Sequence, residues 1–224
     1  EDLDALAGLA GDMLAVAGVR PGDLFQLTLP MGTSLWIAGL CFWLGFQRRG
    51  AGTIRFGPGD SHGQLETARR FKADGFFLTA GFAVRLGQVA AATGQMDGLS
   101  VRKLLVVNEN ILQPDRTRNE TGRLIESLWP SARVSAVYGN TEFGFCGAEC
   151  AEQQGFHTHP GMHYFEVLDP ETGEPLEDGK PGRMVGTSLV YRGLPLIRYA
   201  IDDVTSLVRG PCDCGRTSER FGGI

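Results

Sequence analysis

Ala132-Arg133-Val134-Ser135-Ala136-Val137-Tyr138-Gly139-Asn140-Thr141-Glu142 is an apolar run that closes in a glycine, a hydroxyl and a carboxylate. The run from Ala132 to Tyr138 reads as a strand and Gly139 as the turn that ends it. Such an ending sets a phosphate-sized donor, Thr141, beside a metal-sized acceptor, Glu142. It does so at the carboxyl end of the strand, where open α/β sheets place their ligands. Thr141 can donate to a phosphate oxygen, and Glu142 can ligate a hard cation such as Mg²⁺ that bridges phosphates. The plainer reading of the same five residues, Tyr138 to Glu142, is a turn cap and an exposed acid.

Upstream of this stretch the chain alternates between strand and helix patterns. Leu3, Leu6, Leu9, Met13, Leu14 and Val16 recur at helical spacing until Gly18 and Pro21-Gly22-Asp23 break the pattern. Strands follow at Leu24 to Leu29, Gly52 to Phe56, Gly75 to Thr79 and Arg102 to Val107. Helices lie between them, from Ser34 to about Phe46, from a Ser61 cap through about Lys72, from Phe82 to Ala92, and from Asp115 to Leu128. Continuous apolar strands suit a parallel sheet covered on both faces. The alternation from Leu24 to Glu142 therefore predicts an α/β fold, a parallel sheet with flanking helices and right-handed crossovers.

After Cys150 the pattern changes. Tyr164 to Asp169 and Gly182 to Leu189 alternate on either side of the turn Pro170-Glu171-Thr172-Gly173, and Leu196 to Tyr199 and Thr205 to Val208 read as two short strands. A small antiparallel β unit is expected to follow the parallel sheet, with subdomains at 1–145 and 146–224.

At 224 residues the chain can bury a real core, as one domain or one and a half. Its 42% hydrophobic and 21% charged content is that of a soluble globular protein. A net charge of −5 argues against a nucleic-acid surface, so Arg48-Arg49 and Arg116 to Arg118 read as solvated faces. The longest apolar run, Leu35 to Phe46, is interrupted by Gly39 and Gly45 and falls short of the roughly 20 residues of a membrane span. It reads as a buried helix, and no membrane is expected. The acidic start Glu1-Asp2-Leu3-Asp4 is the opposite of a basic signal-peptide n-region, so the expected setting is cytoplasmic.

Five cysteines, four of them from Cys146 onward, make a poor disulfide framework and a better metal set. Pro211 before and Gly215 after Cys212-Asp213-Cys214 argue for a tight turn that aims both sulfurs inward. Cys150 and His157 would complete three thiolates and one imidazole, a closed set typical of structural zinc. His159 and His163 are rival ligands, Cys146 is a spare thiol, and unpaired thiols with a surface histidine are the bland alternative. A further candidate is Leu194 to Val204, where an apolar strand emerges with Arg198 and ends in Asp202-Asp203, suited to presenting a carboxylate to ribose hydroxyls. The alternative there is a solvated acidic turn.

In order and spacing these pieces resemble the adenylate-forming (AMP-binding) superfamily, and within it the phenylacetate-CoA ligase branch. The resemblance is carried by Tyr138-Gly139-Asn140-Thr141-Glu142, Pro170-Glu171-Thr172-Gly173-Glu174-Pro175-Leu176, Pro195-Leu196-Ile197-Arg198-Tyr199 with Asp203, and Cys212-Asp213-Cys214-Gly215-Arg216-Thr217. Together they cover roughly Val134 to Thr217. Gly18-Val19-Arg20-Pro21-Gly22-Asp23 fits more loosely.

The resemblance implies part of the large domain of an ATP-dependent acyl- or aryl-CoA ligase. Such an enzyme joins a small carboxylic acid to AMP, releases pyrophosphate, and passes the acyl group to coenzyme A. By the same resemblance Thr141 contacts the AMP phosphate, Glu142 holds Mg²⁺, and Tyr138 lies against the adenine with Gly139, Asn140, Glu109 and Arg198 in the nucleotide site. Asp203 takes the ribose hydroxyls, and Cys150, His157, Cys212 and Cys214 fall where the branch carries structural zinc.

Several features depart from the family pattern. The family's phosphate loop would precede a segment like Glu1 to Arg20, and its C-terminal lysine domain would follow Phe221-Gly222-Gly223-Ile224. The expectation is that this chain alone turns over little and that a partner chain or second copy would supply the missing parts. Val106-Val107-Asn108-Glu109-Asn110 lacks the usual glycines, and Glu142 to Cys150 is short. The rival readings are an inactive nucleotide-binding or scaffold module with structural zinc, or an adenylating protein that loads a protein thiol. Trp36, Phe143 and Phe145 are candidates for an aryl pocket, against plain core.

Overall fold

The computed structural model describes residues 1–30 and 37–224, with side chains described for 1–30 and 39–224. The first half alternates as α1 (Asp2–Val16), β1 (Leu24–Leu27), α2 (Ile37–Arg48), β2 (Gly52–Arg55), α3 (Ser61–Phe71), β3 (Gly75–Thr79), α4 (Ala80–Ala92), β4 (Lys103–Val107), α5 (Glu120–Leu128) and β5 (Arg133–Asn140). Antiparallel strands follow: β6 (Gly144–Glu149), β7 (Phe156–Thr158), β8 (His163–Leu168), β9 (Pro181–Ser188), β10 (Tyr199–Val208) and β11 (Arg220–Phe221).

All these strands lie in one sheet, in the order β2-β1-β3-β4-β5-β6-β7-β11-β10-β9-β8. The pairings from β2 through β5 are parallel. Those from β5 onward are antiparallel. The α/β expectation and the antiparallel second part are both observed.

The two-residue period of a strand explains the layering. Phe76, Leu78, Leu104 and Val106 point to one face, into a core shared with Leu65 of α3, Leu86 of α4 and Ile125 of α5. Phe77, Leu105 and Val107 point to the other, against Leu9 and Leu14 of α1 and Phe42 and Phe46 of α2. The run Leu104 to Val107 is buried throughout because both faces are covered. Gly45 of α2 meets Gly11 of α1 so closely that a Cβ on it would lie 2.6 Å from Ala10 Cβ.

Several boundaries differ from the sequence reading, each for a local reason. The cap of α3 is Asp60, whose side chain accepts from Gly63 N at 3.1 Å, rather than Ser61. Helix α5 begins at Glu120 under an Asn119 cap, not at Asp115. The Asp115 side chain accepts from Thr117 N at 3.0 Å, a local bond that competes with helix. Tyr199 to Val208 is one strand with a register shift between Ala200 and Val204. Strand β5 does not end at Gly139 but runs on to Asn140 and turns into β6. The start of α2 at Ser34 lies outside the described residues. No described helix is long and apolar enough to cross a membrane.

Candidate active site and metal centre

The turn between β5 and β6 consists of Thr141, Glu142 and Phe143. Gly139 pairs with Phe145 across it, and a Cβ on Gly139 would stand 2.5 Å from the Gly144 carbonyl oxygen, so only glycine lets the strands approach there. Asn140 closes the turn, its Oδ1 accepting from Phe143 N at 2.9 Å. Among the described residues no hydrogen bond engages the side chain of Thr141 or Glu142.

These residues form one wall of a cavity of about 380 Å³ at the carboxyl ends of β4 and β5. Gly139, Asn140, Thr141 and Glu142 line it together with Val107 and Asn108 after β4, Cys41 and Phe42 of α2, and Leu6 of α1. Phe145, Tyr191 and Leu194 complete the largely apolar remainder, with Asp2 at its edge. A few polar groups converging on an apolar cleft is the usual form of a small-molecule site.

Asp203 comes from the other half of the sheet and, like Tyr138, does not line that cavity; it borders a separate hollow with Pro170 and Arg183. The register shift in β10 falls around it, the kind of irregularity that re-aims a side chain. Its carboxylate accepts from the Tyr138 hydroxyl, and Asn140 Nδ2 donates to the same phenol oxygen at 3.2 Å. Burial, followed by the nearby Cys146 thiol and Asp203, raises the Tyr138 phenol far above its ordinary range, so it remains a donor. The Tyr138 ring stands edge-on to Phe221 at 5.2 Å and tilts against Phe156 at 6.0 Å.

The remaining candidates make other contacts. Glu109 accepts from Gly81 N in the first turn of α4, where a carboxylate also meets the positive end of the helix. Arg198 has a left-handed backbone, φ 47°, and pairs with Glu166 of β8 at 3.1 Å, away from the cavity wall. Phe145 is in the wall, whereas Phe143 is core, edge-on to Phe165 and His163. Trp36 lies outside the described residues.

Cys150, His157, Cys212 and Cys214 come together so that their ligand atoms all lie within 4.8 Å of one another. Cys150 Sγ is 3.8 Å from Cys212 Sγ, and Cys214 Sγ is 3.5 Å from His157 Nε2. A tetrahedron with Zn–S near 2.3 Å and Zn–N near 2.0 Å has edges of roughly 3.8 Å and 3.5 Å, so the donor set fits a zinc ion in number, type and size. His157 Nδ1 bonds Ser218 Oγ at 3.0 Å, which turns Nε2 inward. Burial, with Arg220 and Arg216 adding to it, holds this imidazole down to about 4, in the neutral form that ligates. Burial pushes the Cys150 thiol up to about 12, so a bound cation would have to draw off its proton. Arg216 Nη1 lies 3.4 Å from Cys214 Sγ and can offset the excess negative charge of three thiolates. The rival histidines go elsewhere, His159 to Asp12 at 3.1 Å and His163 to Tyr191 at 3.2 Å.

The sequence reading missed a buried ion pair and a tyrosine. Arg118, read as solvated, pairs with Glu149 and Glu126, both at 2.8 Å. Tyr191 reaches the turn itself, its hydroxyl donating to the Phe143 carbonyl at 2.7 Å. Neither had a sufficient signal in its own neighbourhood, because the buried partner Glu149 is 31 positions from Arg118 and Phe143 is 48 from Tyr191.

No protein-family model matches the chain. It is 31% identical over 227 residues to the phenylacetate-coenzyme A ligase of Thermus thermophilus, covering all of this chain and 49% of that protein. The phenylacetate-coenzyme A ligase of Escherichia coli is 29% identical over 227 residues, across 99% of this chain and 50% of its own length. The chain thus spans about half the length of the curated relatives it matches. In structure it is similar to 2-hydroxyisobutyryl-CoA ligase in an open conformation in complex with 2-HIB-AMP and CoA. That match has a TM-score of 0.86 at 24% identity over 98% of this chain and 51% of the other. A long-chain-fatty-acid-CoA ligase from Archaeoglobus fulgidus matches at a TM-score of 0.63 and 16% identity over 82% of this chain and 38% of the other. The alignment thus runs the length of the chain, which is similar in sequence to about half the length of the phenylacetate-CoA ligases and shares the fold of adenylate-forming CoA ligases.

Proposed function

We propose that the protein activates a small carboxylic acid with ATP and passes the acyl group to the thiol of coenzyme A. A carboxylate oxygen of the acid attacks the α-phosphorus, an acyl–adenylate bond forms, and pyrophosphate leaves with the electrons of the broken P–O bond. The thiol sulfur then bonds to the acyl carbon, and AMP departs. Thr141 donates to an α-phosphate oxygen, and Glu142 holds Mg²⁺, which when bound offsets phosphate charge. Asp203 accepts from the ribose hydroxyls, with the Tyr138 phenol fixing its orientation. Gly139 leaves room beside the nucleotide, Asn140 keeps the turn closed, and Asn108 and Glu109 edge the adenine side. Positioning and charge neutralisation supply most of the acceleration in such chemistry.

Cys150, His157, Cys212 and Cys214 hold a structural zinc with no open position for substrate. Five cysteines without a disulfide accord with a reducing, cytoplasmic setting. The observation that carries the proposal is the pair Thr141 and Glu142, side by side in the cavity wall at the end of β5 with their side chains free for a ligand.

The test is ATP–pyrophosphate exchange by the full-length, zinc-loaded protein across a panel of aryl and alkyl acids. Acid-dependent exchange and a thioester on adding coenzyme A are expected. Glu142→Gln should lower kcat by about 10²- to 10³-fold, the usual effect of losing one such charge-stabilising group. Exchange with none of the acids overturns the proposal.

A further inference from the structure

Tyr191 lies in the segment joining β9 to β10, and that segment is pinned. Ser188 Oγ accepts from Tyr191 N at 3.2 Å, and the Asp2 carboxylate accepts from Gly193 N at 2.7 Å. From this anchored position the Tyr191 hydroxyl donates to the Phe143 carbonyl at 2.7 Å. A phenol has one proton. With that proton given to Phe143, His163 Nε2 at 3.2 Å is the donor to the Tyr191 oxygen, and His163 Nδ1 is buried with no partner among the described residues. The His163 ring also stands edge-on to Phe143 at 5.5 Å and 84°.

Because Asn140 binds Phe143 N, Phe143 is held at both its amide and its carbonyl. Thr141 and Glu142 precede it directly, and among the described residues their side chains have no hydrogen-bond tether of their own. We propose that Tyr191, oriented by His163, is a positioning residue for adenylation, setting the turn that presents Thr141 and Glu142 through its hydroxyl's bond to the Phe143 carbonyl. Its catalytic consequence rests on the ligase reading above, whereas its effect on the turn does not.

Tyr191→Phe in the full-length, zinc-loaded protein keeps the ring in the cavity wall and removes only the hydroxyl. Losing one buried hydrogen bond should speed amide exchange in residues 141–144 by about fivefold. In ATP–pyrophosphate exchange kcat, referred to the folded fraction, should fall by a similar factor with KM for the acid little changed, while amides of β3 and β4 stay as protected as in wild type, a local pattern that general loss of stability would not produce. His163→Gln, which retains an N–H donor, should behave nearly as wild type, and His163→Phe should match Tyr191→Phe. Unchanged amide protection in Tyr191→Phe overturns the proposal whatever the activity, and faster amides with unchanged kcat overturn its catalytic part. A wild type without exchange on any acid sinks the ligase reading instead, while the amide result still decides whether Tyr191 sets the turn.

Discussion

Glu149 is fully buried beside Cys150 of the Cys/His cluster, and among the described residues its charge is answered by one side chain, Arg118. Burial raises the Glu149 carboxyl, and the Arg118 guanidinium opposes that shift. One oxygen accepts from Arg118 Nη1 at 2.8 Å and from Ala136 N at 2.7 Å, so the pair ties β6 to β5 and to the segment before α5. Removing one partner of a buried pair strands the other charge, which costs more than the pair itself contributes. Arg118→Met should therefore lower stability by about 3–5 kcal/mol in urea unfolding. Adding Glu149→Leu should restore a large part of that loss, and a double variant no better than the single would show that the guanidinium acts through its other bonds, to Glu126 and Val134. Thr141 next to Glu142, and Cys212 near Cys214, were legible in the sequence as local pairs, whereas Cys150 is 62 positions from Cys212 and meets it only through the fold. Arg118 was not legible, since a basic residue in a short cluster looks solvated until a distant strand brings a carboxylate to it.

The parallel strands were legible for the same reason of locality, each being a short apolar run between breakers. The antiparallel elements depended on distant partners. Strand β10 read as Leu196 to Tyr199 and Thr205 to Val208 because Asp202-Asp203 looks like an end, yet Leu196 to Arg198 lie outside the strand, Arg198 with a left-handed backbone. Strands β7 and β11, three and two residues long, gave no pattern and exist by pairing with each other and with β6 and β10. The Cys/His cluster sits where these strands are shortest, with Cys150 after β6, His157 within β7, and Cys212 and Cys214 in the turn before β11. A structural zinc would thus substitute for the missing length of ladder, and its binding would be folding free energy. About one zinc per chain is expected by metal analysis, and cobalt in its place should show the absorption of a tetrahedral thiolate site. Chelation, or Cys214→Ser, should selectively speed amide exchange in β7 and β11 while leaving β3 and β4 protected. Equal loosening of all four strands would count against a local staple.

The molecule is joined across its two patterns of strand pairing by more than the β5–β6 ladder. Tyr138 meets Asp203 across the sheet, Gly223 N donates to the Gln113 carbonyl at 2.9 Å, and Ser206 Oγ donates to Pro114 at 2.9 Å. His163 belongs to the same core, so its titration should be felt by the whole fold. Burial, with His159 adding to it, lowers the His163 imidazole to about 4, from 6.5 in an unfolded chain. Tyr191 and the Phe143 peptide face the ring and supply no negative charge to stabilise a proton on it. Between these two values the unfolded chain binds the extra proton and the native one does not, so stability rises with pH across the window and is lost as pH falls through it. The slope can approach about 1.4 kcal/mol per pH unit, for a total of roughly 2–3 kcal/mol. Urea midpoints taken from pH 6.5 down to 4.5 should fall for the zinc-loaded wild type. In His163→Phe the baseline should be lower but the decline shallower, and since both proteins keep the metal ligands, the difference between the two curves isolates His163. Parallel curves would assign the acid sensitivity to the metal site alone.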